Sequence, residues 1–293
     1  MSGCRNWQTQ MSDDFCVFIL SHGRANNVRT ADSLKEHGYT GEVILVIDDE
    51  DEQAAEYGKN FKRVEMFSKK NVAGQFDIAD NFESTRGVVY ARNACFQIAK
   101  KLGYAYFMQL DDDYTSFHYR VYSNQNQKPK KISNLDKVID SLLQFYKSTN
   151  LATVAMAQGG DFIGGKNNKF AKKPTLTRKC MNSFICSTDR VFQFNGRINE
   201  DVNMYTDEGS RGLLACTIPF CSLAQVGTQK NSEGMTTLYL EHGTYVKSFY
   251  SVMFQPSSVK VALMGDTHKR VHHVVRWDNT VPKIVSESSK KTA

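Results

Sequence analysis

A chain of 293 residues with 41% hydrophobic and 11% aromatic content can bury a full-sized core, as one large α/β domain or as two packed halves. A formal charge of +6 permits binding of nucleic acid or nucleotide phosphates without demanding either. Seven scattered cysteines (Cys4, Cys16, Cys95, Cys180, Cys186, Cys216, Cys221) lack the Cys-x-x-Cys spacing of a zinc site or redox pair and predict reduced, buried thiols. No apolar stretch approaches the roughly 18 residues of a membrane span, and no charged-then-apolar leader opens the chain, so the expectation is a soluble cytoplasmic protein without a membrane partner.

After a polar leader over 1–14, Phe15 to Leu20 reads as a compact apolar strand ending in Ser21-His22-Gly23-Arg24, a small basic loop suited to face a ligand. A helix is predicted from Asn27 to His37, closed by Gly38. Val43 to Ile47 is another continuous apolar strand, and it delivers Asp48, Asp49, Glu50 and Asp51 at its end. Val64 to Phe67 reads as a third short strand, and Asn71 to Ser84 has no period and reads as loop. Ala91, Ala94, Cys95, Ile98, Ala99 and Leu102 then recur at helical spacing, with Gly103 as the stop.

The run Tyr104 to Leu110 reads as a buried strand, and Asp111, Asp112 and Asp113 follow it directly. Carboxylates at the C-terminal end of such a strand emerge in the crevice where open α/β sheets bind ligands. Like charges packed this closely call for a hard cation, and oxygen ligands suit Mg²⁺ or Mn²⁺. An acidic loop solvated at a strand end is the competing reading.

Tyr114 to Lys131 is polar and aromatic without an assigned element; Leu135, Val138, Ile139, Leu142, Leu143 and Tyr146 mark an amphipathic helix that Ser133 or Asn134 can cap. Ala152 to Ala157 reads as a strand, Gln158 to Lys179 as a long loop rich in glycine, asparagine and lysine, and Asn182 to Ser187 as a further strand. Asn199 to Arg211 opens with acids and reads as a helix; a helix from Met235 to Phe254, a strand from Val259 to Met264 and a histidine-rich tail complete the chain. Strands alternating with helices predict an α/β fold, a Rossmann-like, mostly parallel central sheet with helices on both faces. Gly160 to Asn167 falls one residue short of a phosphate-binding Walker loop, with Asn167 where serine or threonine must bind Mg²⁺, so a P-loop is rejected.

The acids after the strand at Val43, the aspartates after Leu110 and the later Glu200-Asp201 form an ordered set whose spacing resembles a GT-A glycosyltransferase. At a finer grain, Phe18 to Arg24, Val46 to Glu50, Ala91-Arg92-Asn93, Gln109 to Tyr114 and Arg270-Val271-His272-His273 resemble the TET/JBP-associated glycosyltransferases, over roughly Phe15 to Ile284. That resemblance implies one GT-A domain over 15–285, with a nucleotide-sugar half (15–157), an acceptor half (158–285) and a polar tail (286–293). It implies a Mn²⁺- or Mg²⁺-dependent transfer of sugar from a nucleotide sugar, a UDP-sugar by preference, to 5-hydroxymethylcytosine or 5-hydroxymethyluracil in DNA. A phage source, with modification shielding DNA from host restriction, follows from the same likeness.

Site expectations follow from the resemblance. Ser21, Arg24, Asp48, Asp49, Arg92, Asp111 and Asp112 are assigned to the donor, Asp111, Asp113 and His272 to the metal, Asp201 to the catalytic base and Glu200 to positioning. Lys166, Lys169, Lys172, Lys173 and Arg178, with Phe162 and Phe170 available for stacking, are assigned to acceptor phosphates. Two alternatives stay open: the same fold acting on a glycan or protein hydroxyl, and a nucleotidyltransferase.

Overall fold

A computed structural model describes residues 11–79, 85–123, 126–162, 168, 170–181, 183–225, 235–264, 269–287 and 290. The elements in chain order are β1 (Phe15–Leu20), α1 (Arg29–Glu36), β2 (Val43–Asp48), α2 (Ala54–Asn60), β3 (Val64–Phe67), α3 (Lys69–Ala73) and α4 (Val89–Leu102). They continue with β4 (Tyr106–Asp111), β5 (Tyr114–Ser123), β6 (Asn126–Lys131), α5 (Leu135–Lys147), β7 (Thr153–Gln158) and β8 (Ser183–Ser187). The last are α6 (Glu200–Ser210), β9 (Ala215–Gln225), α7 (Met235–Phe254), β10 (Val259–Met264), β11 (Arg270–Val275) and α8 (Trp277–Thr280).

Among the described residues nine strands form one sheet in the order β3-β2-β1-β4-β8-β7-β9-β5-β6, and β10 pairs with β11 in a separate antiparallel ribbon. From β3 to β4 every neighbour is parallel, as the strand-helix alternation predicts. β8 inserts antiparallel between β4 and β7, β9 runs parallel to β7, and β5 and β6 close the far edge antiparallel. The sheet is therefore mixed, with its Rossmann-like half parallel.

β1 shows why the strands are apolar throughout. All six of its residues are buried; Val17 and Ile19 enter one core cluster while Cys16, Phe18 and Leu20 enter the other. The period of two feeds both faces. Leu34 of α1 and Leu135, Ile139 and Leu143 of α5 cover the first face; Ala94, Cys95 and Ile98 of α4 with Val202 and Met204 of α6 cover the second. Asn134 caps α5 by accepting from the Lys137 amide at 3.0 Å, and Gly103 ends α4 at φ 83°, a left-handed conformation that glycine adopts without steric penalty. The six described cysteines are buried free thiols.

Several elements differ from the sequence expectation, with α2, β11 and α8 also unassigned there. Tyr114 to Lys131 is a hairpin, β5 and β6, whose polar outer residues hide its period at the sheet edge. β9 was not foreseen, and the stretch from Asn71 begins inside a short helix, α3.

Because β1 lies between β2 and β4, the chain leaves β1 toward one side and β4 arrives on the other. The crevice between their C-terminal ends is the switch point where open α/β sheets bind ligands. Ser21 to Arg24 and Asp111 to Asp113 meet there.

Candidate active site

The three aspartates do three different things. Asp112 turns inward: Oδ2 accepts from Ser21 Oγ at 2.6 Å and Oδ1 from Arg24 Nη1 at 2.6 Å. Tyr57 completes the relay, its hydroxyl 2.6 Å from Ser21 Oγ and accepting from the Arg24 amide at 3.0 Å. Ser21, Arg24 and Asp112, expected to meet the donor directly, instead bolt the β1 loop to the end of β4. Buried Thr30 of α1 fixes the same turn, donating from its amide to the Asp112 carbonyl at 3.1 Å and accepting from the Tyr114 amide at 2.9 Å.

Asp111 faces the other way and accepts from Arg92 Nη2 at 2.6 Å. Arg92 also donates from Nε to Glu200 at 3.4 Å, and its guanidinium lies 5.0 Å from the Phe184 ring centroid. The sequence reading assigned Arg92 to the donor; its side chain is 0% exposed, so it cannot touch a ligand while these partners hold it. Asn93 explains the enclosure, since its side chain accepts from the Phe194 amide at 3.0 Å and donates to the Phe194 carbonyl at 2.9 Å, seating that ring against Arg92.

Asp113 is half-buried, and its Oδ1 is a buried oxygen without a hydrogen-bond partner. Burial first, then Asp111 and Asp112, push its pKa up to about 7. An unsatisfied carboxylate oxygen beside a second carboxylate is a fit for a hard divalent cation. Among the described residues no three His, Cys, Asp or Glu side chains gather to hold a metal, so Asp111, Asp113 and His272 do not form one ligand set.

α6 starts with Asn199 at φ 56°, in the left-handed region that asparagine tolerates, and Asn199 Nδ2 donates to the Lys247 carbonyl at 2.7 Å. Glu200 and Asp201 thus form the first turn without being its cap. Burial first, then Asp201, push Glu200 up to about 7 against the pull of Arg92. Asp201 is half-buried, and its Oδ1 accepts from the Val202 amide at 2.8 Å. β11 alternation separates the late histidines: His273 is buried, with Nδ1 3.5 Å from Asn199 Nδ2, whereas His272 points to the opposite face. Burial and the nearby cations hold both imidazoles low, His272 at about 4 and His273 at about 3.

At the end of β2, buried Asp48 accepts from Lys69 Nζ at 2.9 Å and meets His22 Nδ1 at 2.8 Å. Asp49 accepts from the Lys69 amide at 3.0 Å, and Asp51 takes the Gly23 amide at 2.9 Å. Sequence reading missed His22, Lys69, Tyr57 and Thr30; His22 stood in a quoted motif, but the other three carry no local signal. Of the acceptor residues, Arg178 is engaged by Asp161 through Nη2 at 2.7 Å and Nε at 2.8 Å, which leaves its fork occupied. Lys172 and Lys173 are exposed, and Lys166 and Lys169 lie outside the described residues.

No helix among the described residues is long and apolar enough to cross a membrane. The sequence model of the TET-Associated Glycosyltransferase family matches residues 15–235. No curated protein sequence matches the chain. Among solved structures the chain is similar to glucosyl-3-phosphoglycerate synthase from Mycobacterium tuberculosis, in complex with Mn²⁺, uridine diphosphate and phosphoglyceric acid (10% identity, 89% of this chain, 86% of that one, TM-score 0.47). It is also similar to a mannosyltransferase from Pyrobaculum calidifontis, in complex with GDP-mannose and Mn²⁺ (10% identity, 83% of this chain, 72% of that one, TM-score 0.48).

Proposed function

The chain belongs to the TET-associated glycosyltransferase family, and from that premise we propose that it moves a sugar from a UDP-sugar to the hydroxymethyl group of a 5-hydroxymethylated pyrimidine in DNA, 5-hydroxymethylcytosine first. Membership makes it a glycosyltransferase and removes the nucleotidyltransferase alternative. One GT-A domain over 15–285 carries the reaction in this reading, and modification of phage DNA against host restriction is the setting it suits.

The observation that carries the proposal is the buried link Asp111–Arg92–Glu200. It ties the strand end suited to the donor diphosphate to the helix start suited to the acceptor. Asp111 and the unpaired oxygen of Asp113 would hold Mn²⁺ or Mg²⁺, which when bound neutralises the departing nucleoside diphosphate. Asp201, half-buried and one residue beyond Glu200, takes the proton of the acceptor hydroxymethyl group. The acceptor oxygen forms its bond to the anomeric carbon as the bond to phosphate breaks, and the diphosphate leaves with the electron pair. Glu200, its pKa pushed up to about 7, positions the sugar, and His22 with Asp48 frames the nucleotide end of the crevice.

One assay tests the reading. The protein is incubated with Mn²⁺, a panel of nucleotide sugars and DNA containing 5-hydroxymethylcytosine or 5-hydroxymethyluracil, and the digested nucleosides are weighed by mass spectrometry. A hexose or pentose increment on one nucleoside is the expected result. Transfer to a glycan or peptide hydroxyl, with none to DNA, would replace the acceptor.

A further inference from the structure

A second cluster of charge lies on the far half of the sheet, away from the aspartates. Arg120 of β5 donates from Nε to Ser222 Oγ of β9 at 2.7 Å, and its guanidinium carbon stands 4.0 Å from the centroid of the Phe162 ring. Phe162 packs against Phe170 at 6.0 Å between centroids, and Arg178 lies 5.0 Å from the Phe170 ring. Four side chains thus form a ladder, guanidinium, ring, ring, guanidinium. The two ends differ in one respect. Arg178 is locked by two bonds to Asp161, whereas Arg120 has no carboxylate within 4.0 Å among the described residues.

A half-buried guanidinium held on its Nε edge by a hydroxyl and on its face by a ring keeps its Nη edge pointed one way. Burial pulls its pKa down, against the field of Asp161. Such a group gains most from an anion that accepts two parallel hydrogen bonds. Lys172 and Lys173, both exposed, belong to the same loop and add charge of the same sign.

We propose that Arg120, stacked on Phe162 and tied to Ser222, is a phosphate-binding subsite for the backbone of the acceptor DNA. The inference rests on the reading of DNA as acceptor and adds a fixed distance to it. Ser222 pairs with His118, four residues along β5 from Tyr114, and Arg120 lies six residues along. At about 3.4 Å per strand residue, the guanidinium sits roughly 14–20 Å from the end of the aspartate turn. With one phosphate per about 3.4 Å of each strand, that span corresponds to about four to six base-pair steps from the modified base. Arg120 therefore grips flanking duplex and leaves the reacting nucleotide alone.

The test is a binding and turnover series on duplexes of increasing length, each with one central 5-hydroxymethylcytosine, using the parent, Arg120→Ala and Arg120→Lys. Parent affinity is expected to rise once the flank exceeds about six base pairs, and Arg120→Ala to lose that rise and about one unit of the slope of log affinity against log salt. Arg120→Lys is expected to keep the slope and lose part of the affinity, since an ammonium cannot reproduce the fork. Melting temperatures within a few degrees of the parent exclude unfolding as the cause, and Arg120→Lys decides the matter should the alanine variant fold poorly. A lysine variant indistinguishable from the parent in affinity, or an unchanged slope and length dependence in Arg120→Ala, would overturn the proposal while leaving DNA as acceptor. Lower UDP affinity with intact DNA affinity would also overturn it, by moving Arg120 to the donor. No binding of any duplex by the parent would remove the DNA reading itself.

Discussion

Arg92 donates to Asp111 at 2.6 Å from inside a core that shuts out solvent, and the same guanidinium reaches Glu200 at 3.4 Å. Burial pulls the Arg92 pKa down; Asp111 and then Glu200 outweigh it and raise it. The cation is therefore the common anchor of the two acidic elements. Removing one partner of a buried ion pair costs about 3–5 kcal/mol, because the charge left behind is neither solvated nor paired. Arg92→Met is expected to lose about that much unfolding free energy in denaturant titrations. Arg92→Lys is expected to fall between, keeping a charge but not two directed bonds. A methionine variant as stable as the parent would show that the guanidinium is dispensable to the fold.

Asp113 is expected to trade stability against activity. Its folded pKa of about 7 lies above the ordinary 3.8, so the metal-free native state holds a proton that the unfolded chain has released. The corresponding stability is full below pH 3.8 and is lost as pH rises through about 7. In excess EDTA the parent is expected to melt at a lower temperature at about pH 8 than at about pH 5, and Asp113→Asn to reduce that difference while abolishing transfer. Mn²⁺ is expected to restore the parent at the higher pH and to do little for the variant. Undiminished turnover in excess EDTA would end the metal role.

How much of this was legible from sequence depends on what each residue's neighbours are. β1, β3, α7 and β10 fall on their expected bounds because a continuous apolar run or a sustained helical period is a local signal. β5 and β6 were missed because Tyr114 and Phe117 are the buried hydrophobics of β5 while residues 128–131 of β6 are all exposed, so the stretch carries no apolar alternation. The site was legible as carboxylates at strand ends. Their division of labour was not. Asp112 is internal because of Ser21, 91 residues away, and Arg92 is buried because Phe184 and Phe194 close over it from distant segments. Helix periodicity around Ala91 reports only that helix's own stripe. The acids opening α6 were legible, but Asn199 gave no sign that it would bind the Lys247 carbonyl.

His22 is expected to make donor binding sensitive to pH. Its bond to Asp48 at 2.8 Å is the main reason its pKa is raised, so the imidazolium persists above the ordinary histidine range. The pair's contribution is full below the unfolded value of 6.5 and is lost as pH rises through the higher folded value. With an exposed positive ring at the crevice mouth, UDP affinity measured by calorimetry is expected to decline as pH rises past neutrality. His22→Gln is expected to flatten that decline and weaken binding at low pH. An identical profile in the variant would take His22 out of the donor site.

Asp201 offers the sharpest test of the chemistry. Its Oδ1 accepts the Val202 amide at 2.8 Å, which is a structural duty that asparagine can also perform through its own carbonyl oxygen. Proton abstraction is one that asparagine cannot perform. General-base assistance is typically worth about 10² to 10⁴ in rate, so Asp201→Asn is expected to lose that factor in turnover while UDP affinity and melting temperature stay near the parent values. Glu200→Gln is expected to behave differently, because Glu200 is bound to Arg92 and its pKa is pushed up to about 7: turnover falls less, and the pH at which activity is half-maximal moves. If Asp201→Asn instead turns over within about threefold of the parent, a change well below the general-base range, the residue is a helix-start ligand for the Val202 amide and nothing more. The proton would then pass to Glu200, whose pKa of about 7 suits a base at neutral pH, and the loss in the glutamine variant would grow to match.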